Sequence, residues 1–597
     1  MTHQYRAERV RMPAESSTMD STTADWAAHG STLVELLQNR ALQRPDHLAY
    51  TYLEDGEEEG ERYTFGKLDR RARAIAVALR QRCQPGDRVL MLYPPGLDYT
   101  AAFFGCLYAG VIAVPVYPPD PGRLNRSLPR LKVVARDAGT SLALTVSSLY
   151  EICKGLAGFD PYFGEFDWLA TDTVGDDLAK EWVAPEIDSG SIAFLQYTSG
   201  STADPKGVMV THRNLLYNLY DMADHWEDQD DVRFVTWLPA FHDMGLIWGL
   251  LLPVYIQAPC YVMSPLAFLQ RPLRWLRAMS KYKATHSCAP NFAYDLCVRK
   301  ITPEQRATLD LSRWASAGNG AEPVRPDTLE RFAETFKPCG FKWNVLCPGY
   351  GLAEATLMVS TTARLEPMLL PVVASELEQH RVVEAKAPGD DVRTLVGSGR
   401  TSHDTRVLIV DPDSRLQCSP DTVGEIWVSG TTVADGYWNR PEDTEQTFRS
   451  TLADTGEGPF LRTGDLGFVK NGFVFVTGRI KDMIIVDGLN HYPQDIERTM
   501  ELSHEAIRQG CCAAFSVDTD GPEKLVVVAE ALLPEGSDGK DVIAAVRKAV
   551  AETHELRVHQ VCLIAPKSID KTSSGKIQRQ ANRARYLDNT LELLARG

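Results

Sequence analysis

Between residues 65 and 146 the chain switches its hydrophobic period back and forth, and this limits the fold more than any other feature. FGKLDRRARAIAVALRQRC (65–83) has helical apolar spacing, while DRVLMLYP (87–94) reads as a buried strand. Residues 96–109 return to a helix and VIAVPVY to a strand; LPRLKVVARDAG (128–139) is a helix and SLALTV (141–146) a strand. Helices set between apolar strands predict a mostly parallel, doubly wound α/β sheet. SIAFLQYT (191–198) is one more strand, and it runs straight into the hydroxyl-rich YTSGSTADPKG (197–207). Open parallel sheets bind ligands beyond the carboxyl ends of their strands, so this loop sits where a ligand is expected.

The texture then changes. From about 404, TRVLIVDP, GEIWVSG, FLRTGDLGFV and GFVFVTGR are short β-rich runs between turn residues. They predict a small β-barrel or twisted sheet over 404–480. After GRIKD (478–482), KLVVVAEALL, DVIAAVRKAV and VCLIAP read strand, helix, strand. The expected organisation is a loose polar tail (1–25), a large N-terminal region (26–480) and a small α+β C-terminal domain (481–597). A chain of 597 residues is too long for one core.

Bulk properties exclude some functions. A net charge of −16 argues against a general nucleic-acid binder, though a few lysines and backbone N–H groups still hold a single nucleotide. The 12 cysteines include no CxxC pair, and the first 25 residues lack the apolar core of a secretory signal. Free thiols and a cytoplasmic location are expected. The apolar runs 99–117 and 243–263 approach bilayer length. Gly110 and Pro115 divide the first, and Pro253 and Pro259 the second, so both read as buried helix–strand units and no integral span is expected.

YTSGSTADPKG resembles a phosphate cradle, yet Gly200 to Lys206 lacks the GxxxxGK[ST] spacing, and GSGRTS (397–402) and GNGAEP (318–323) lack the third glycine of GxGxxG. Its company elsewhere is informative. In GYGLAEAT (349–356), Tyr350 lies between glycines, Gly349 and Gly351, with room to stack on a purine, and Glu354 can hold Mg²⁺ against phosphate oxygens. GNGAEP offers Asn319, Gly320 and Ala321 as the opposite wall of a base pocket. Asp465 in FLRTGDLG can accept from ribose hydroxyls, and Arg479 in GRIKD offers rigid donors to a ribose or phosphate. KTSSGKIQR (571–579) carries Lys576 after a Ser-Ser-Gly turn. Taken singly, each has a plainer reading: a turn acid, solvated cations, a core aromatic.

Together, and in this order, these motifs resemble the adenylate-forming superfamily of acyl-CoA synthetases, peptide-synthetase adenylation domains and luciferases, over about 30–590. FHDMGL (241–246), residues 264–297, GYWNRPEDTEQTF (436–448) and IIVDGLNHYPQDIE (484–497) look like the fatty acyl-AMP ligases within it. The resemblance implies ATP- and Mg²⁺-dependent activation of a medium- or long-chain fatty acid to acyl-adenylate, with release of pyrophosphate. It also implies transfer to the phosphopantetheine thiol of a holo acyl carrier protein or a polyketide or nonribosomal synthase carrier domain; coenzyme A is the alternative acceptor. It assigns Thr198, Ser199, Gly200, Ser201, Thr202 and Lys206 to the phosphates, with Thr198 and Glu354 on the metal side. Lys576 is implied at the α-phosphate, Lys481 as the hinge and His242 as a gate beside the carboxylate. Trp237, Phe241, Met244, Pro290, Asn291 and Phe292 are implied in the acyl pocket, although aromatic stretches of this kind are also plain core. A family insertion that restrains the C-terminal domain is expected at about 358–394. A nucleotide-binding regulator without catalysis is a reading of another class; Glu354, Asp465, Arg479 and Lys576, all present, speak against it.

Overall fold

The computed structural model describes residues 26–118, 124–197, 205–224, 231–363, 365–486, 489–519, 521–572 and 575–597. Thr198, Ser199, Gly200, Ser201 and Thr202, and the expected tail over 1–25, lie outside them.

The alternation over 65–146 builds a six-stranded sheet. Its order is Asp167–Ala170, Leu142–Thr145, Arg88–Met91, Ile112–Pro115, Ile192–Tyr197, Gly207–Thr211. All neighbours run parallel except the last pair, an antiparallel hairpin around the hydroxyl-rich loop. The first apolar run is the helix Leu97–Ala109 followed by the strand Ile112–Pro115. Gly110, at φ 73°, turns one into the other, a conformation that disfavours any Cβ. The second run is a π-helical stretch Met244–Leu251, the helix Leu252–Tyr255 and the strand Cys260–Met263. Among the described residues no helix is long and apolar enough to cross a membrane.

A second sheet has eight strands: Met358–Thr361, Leu346–Gly351, Ser316–Asn319, His286–Ala289, Phe234–Thr236, Cys260–Met263, Leu48–Glu54, Glu58–Thr64. Its six central strands are parallel and both edges are antiparallel. Buried strands with helices on them need apolar residues on both faces. One apolar cluster accordingly joins the two sheets, with Tyr50, Phe103, Phe194, Trp275 and Tyr294 at its centre. The β-rich region is an open four-stranded antiparallel meander, Arg406–Val410, Gly424–Ser429, Leu461–Lys470, Phe473–Arg479.

Beyond the single 3-10 turn Ile480–Asp482, the chain forms an α+β unit with its own core. Its sheet order is Ile507–Thr519, Gly521–Ala531, Val558–Ile564, Leu593–Arg596, with the helices Pro493–Ser503 and Lys540–His554 packed on one face. The stretch expected as an insertion holds the edge strand Met358–Thr361 and most of a hairpin, Leu369–Val373 with Val392–Val396. That hairpin touches the C-terminal unit. Asn490 N donates to Glu378 O at 3.2 Å, and Arg393 pairs with Asp495 at 2.7 Å.

Candidate active site

The ends of the parallel strands meet the C-terminal unit around one cavity of 2390 Å³. Asn319 closes the strand Ser316–Asn319, Tyr350 and Gly351 close Leu346–Gly351, and Trp237 follows Phe234–Thr236. All line the cavity, as the switch-point rule for open sheets anticipates. Gly351 is needed there, because a Cβ would come within 1.8 Å of the Leu357 carbonyl oxygen.

Two long-range pairings organise one wall. Asp465 and Arg479 are direct partners on adjacent strands of the meander, and Arg479 Nε donates to Asp465 Oδ1 at 2.8 Å. Tyr350 Oη donates to Asp465 Oδ2 at 2.7 Å. Burial beside the Asp465 carboxylate pushes the Tyr350 phenol well above its ordinary value, so it stays a donor. Asn319 is buried, and its Oδ1 has no hydrogen-bond partner among the described residues.

Glu354 sits on the 3-10 turn Ala353–Ala355 and accepts from Tyr437 Oη at 2.8 Å. Burial pushes its carboxyl above the usual range. Lys206 pairs with Asp443 at 2.7 Å and lies 5.0 Å from the Tyr437 ring centre.

Lys576 comes from the C-terminal unit and reaches the same cavity. Burial pulls its ammonium below the ordinary lysine value, against the attraction of Asp243 and with Arg479 adding to the depression. Glu322 also attracts it and accepts from Phe292 N at 2.6 Å, at the start of the helix Asn291–Lys300. Burial also pushes Asp243 up, but His242 and Lys576 outweigh it and hold the carboxyl below its ordinary value. His242 Nδ1 lies 2.6 Å from Asp243 Oδ1, which fixes the ring at the start of the π-helical stretch. Such stretches are frequent at functional sites.

The acyl-pocket candidates Trp237, Phe241, Met244, Pro290, Asn291 and Phe292 line the same cavity. Trp237 stacks on Phe268 with ring centres 4.0 Å apart, and Met244 Sδ meets Cys288 Sγ at 3.5 Å. Asn291 is spent on structure: its Oδ1 accepts from Arg325 N at 3.1 Å and its Nδ2 donates to Thr328 Oγ1 at 3.2 Å. Every site residue expected from sequence and lying within the described residues, Gly320, Ala321 and Lys481 included, lines this one cavity.

Three groups were not singled out from sequence. Glu322 and Tyr437 stand inside quoted motifs, but nothing local reveals that one faces Lys576 and the other Glu354. Arg579 closes the lysine motif with a fork to Glu497 at 2.7 and 2.8 Å and a bond to Asp482 at 3.0 Å. This ties the lysine segment to the 3-10 turn at residues 480–482.

Two family models match the chain. The AMP-binding enzyme family matches residues 37–438, and the family described as Disco-interacting protein 2-like, AMP domain, matches residues 481–596. The chain is 48% identical to the medium-chain-fatty-acid–acyl-carrier-protein ligase JamA of Moorena producens, over 94% of this chain and 96% of that one. It is 39% identical to the long-chain-fatty-acid–AMP ligase FadD32 of Mycolicibacterium smegmatis, over 94% and 95%. Among solved structures it resembles a fatty acyl-adenylate ligase from Legionella pneumophila in complex with acyl adenylate and pyrophosphate. The TM-score is 0.74 at 41% identity, covering 97% of this chain and 99% of that one. With the motifs converging on one cleft and similarity running the length of the chain, this protein belongs to the fatty acyl-AMP ligases of the adenylate-forming superfamily.

Proposed function

We infer that the protein activates a fatty acid with ATP, releasing pyrophosphate, and passes the acyl group from acyl-AMP to the thiol of an acyl carrier protein. One observation carries this reading: Lys576 of the C-terminal unit shares a cavity with Tyr350, Asp465 and Glu354 and with the apolar Trp237 and Phe292. The relatives named as carrier-protein ligases favour that acceptor over coenzyme A.

In the first step a carboxylate oxygen bonds to the α-phosphorus and the bond to pyrophosphate breaks. Two anions must meet, so catalysis is positioning and electrostatic stabilisation. Lys576 supplies the positive charge at the reacting oxygens. Asp465 receives the ribose hydroxyls, the Tyr350 ring lies along the purine, and the unpaired Oδ1 of Asn319 suits an exocyclic amine. Gly320, Ala321 and Gly351 shape the base wall, and Arg479 steadies Asp465. Thr198, Ser199, Gly200, Ser201, Thr202 and Lys206 hold the leaving phosphates.

Glu354 and Thr198 are the groups for Mg²⁺. The chemistry of Glu354 fits: it is a half-buried carboxylate that lines the cavity and makes no ion pair within 4 Å among the described residues. Mg²⁺ would screen the charge on the phosphate oxygens.

In the second step the phosphopantetheine sulfur bonds to the acyl carbon, the bond to AMP oxygen breaks, and the thiol proton leaves. Lys576 then stands in the thiol's approach. We assign Lys481 as the hinge about which the C-terminal unit turns, and His242 as the gate beside the carboxylate.

Hydroxamate trapping with fatty acids from octanoate to octadecanoate, ATP and Mg²⁺ tests the first step. Product is expected only with all three. Thioester formation on a holo carrier protein and on coenzyme A, run side by side, tests the acceptor, with the carrier product in excess. The reading fails if no fatty acid stimulates pyrophosphate exchange.

A further inference from the structure

Tyr437 lies 83 residues from Glu354 in the chain, yet its Oη donates to Glu354 Oε1 at 2.8 Å. The contact is built from both sides. On one side Ala434 N donates to Glu354 O at 2.9 Å, and Thr356 Oγ1 donates to Thr432 O at 2.6 Å. Thr356 itself is held at φ 67° and ψ −64°, a rare γ-turn conformation that a β-branched residue keeps only when its surroundings enforce it. On the other side Met209 N donates to Gly436 O at 2.9 Å and Trp438 N to Gly207 O at 2.8 Å. Residues 432–438 are thus pinned between the Glu354 turn and the strand Gly207–Thr211.

A glutamate's terminal torsion is broad, so a lone carboxylate does not present a fixed oxygen to a cation. The Tyr437 hydroxyl removes that freedom. It holds Oε1 of a carboxylate that lines the cavity. The same ring lies 5.0 Å from Lys206 Nζ, which Asp443 holds at 2.7 Å.

We propose that Tyr437 is a positioning residue that turns Glu354 toward the divalent cation and holds it in register with Lys206. This rests on the ligase reading above. It adds a residue of the cavity wall that acts through Glu354.

Tyr437→Phe removes only the hydroxyl and keeps the ring against Phe448 and Lys206. The decisive readout is ATP binding by calorimetry across a Mg²⁺ titration, in wild type and variant. The expected result is unchanged ATP affinity without Mg²⁺ and a Mg²⁺ half-saturation raised roughly tenfold or more, the scale of losing a hydrogen bond to a charged group. Adenylation kcat should fall while KM for the fatty acid holds. In a Glu354→Gln background the same substitution should add little, because its target is gone. An unaltered Mg²⁺ half-saturation, or full additivity with Glu354→Gln, overturns the positioning role. A wild-type protein whose nucleotide binding ignores Mg²⁺ overturns the metal assignment and this role with it.

Discussion

Tyr350 and Asp465 stand 115 residues apart in sequence and share a hydrogen bond of 2.7 Å in the wall of the cavity. The two come from different sheets, Tyr350 from the large parallel one and Asp465 from the antiparallel meander. Their bond aligns the carboxylate proposed to receive the ribose with the ring proposed to lie along the purine. Tyr350→Phe is expected to raise KM for ATP several-fold with kcat largely kept. Asp465→Asn loses charge-assisted bonds of about 1.5–3 kcal/mol, so kcat/KM for ATP should fall by roughly 10- to 150-fold. Steady-state pyrophosphate exchange against ATP concentration measures both.

Lys576→Ala should cut adenylation by on the order of a hundredfold to a thousandfold, as expected for a point charge in a water-excluded site. Transfer from preformed acyl-AMP to a carrier thiol should survive. The pH profile gives a second check. In the proposed role Lys576 acts protonated, and burial lowers its pKa. Adenylation should therefore fall on the alkaline side below the pH at which an ordinary lysine deprotonates. An alkaline limb at or above the ordinary lysine value, measured by pyrophosphate exchange, would contradict this placement.

Arg579 pairs with two carboxylates, the buried Glu497 and the half-buried Asp482. Arg579→Ala leaves the buried Glu497 without its cation, and breaking a buried pair typically costs about 3–5 kcal/mol. Chemical denaturation of the full chain should show the C-terminal unit unfolding earlier than in wild type. Adenylation should drop in parallel, because the lysine segment loses its tie to the turn at 480–482.

Asp221 is fully buried in the helix His212–Asp224; Oδ1 accepts from the Ser402 hydroxyl and Oδ2 has no partner among the described residues. Burial pushes its pKa up to about 6, against the pull of Ser402 and His403. The folded state therefore holds this proton more tightly than the unfolded chain does. Its contribution to stability is present at low pH and is lost as pH rises through about 6. Asp221→Asn should raise the thermal midpoint at pH 8, by on the order of 1 kcal/mol of stability, with the gain fading toward pH 4. Thermal unfolding at a series of pH values follows it.

The features legible in sequence are those written in short windows. The strand SIAFLQYT falls at Ile192–Tyr197, the helix at 65–83 at Phe65–Arg80, and the β-rich texture after 404 marks the meander. The apolar run at 243–263 shows in sequence where it breaks, but not that its first segment is π-helical beside His242. Antiparallel edge pairing, as of Gly207–Thr211 on a parallel sheet, leaves no trace in hydrophobic period. Tyr437, Glu322 and Arg579 were missed because a contact across 83 residues, like that of Tyr437 with Glu354, has no local pattern.

By itself the sequence determined the family and which residues are candidates for the chemistry, because hydroxyls, carboxylates and lysines near turns are needed wherever phosphate is handled, and motif order survives without coordinates. Only the tertiary structure decided how they bear on one another. It sets Lys576 against Asp243, Tyr350 on Asp465 and Tyr437 on Glu354. The physical reason is that strength and direction of a buried charge depend on its distance to partners and its removal from water. Those quantities arise only when distant segments pack.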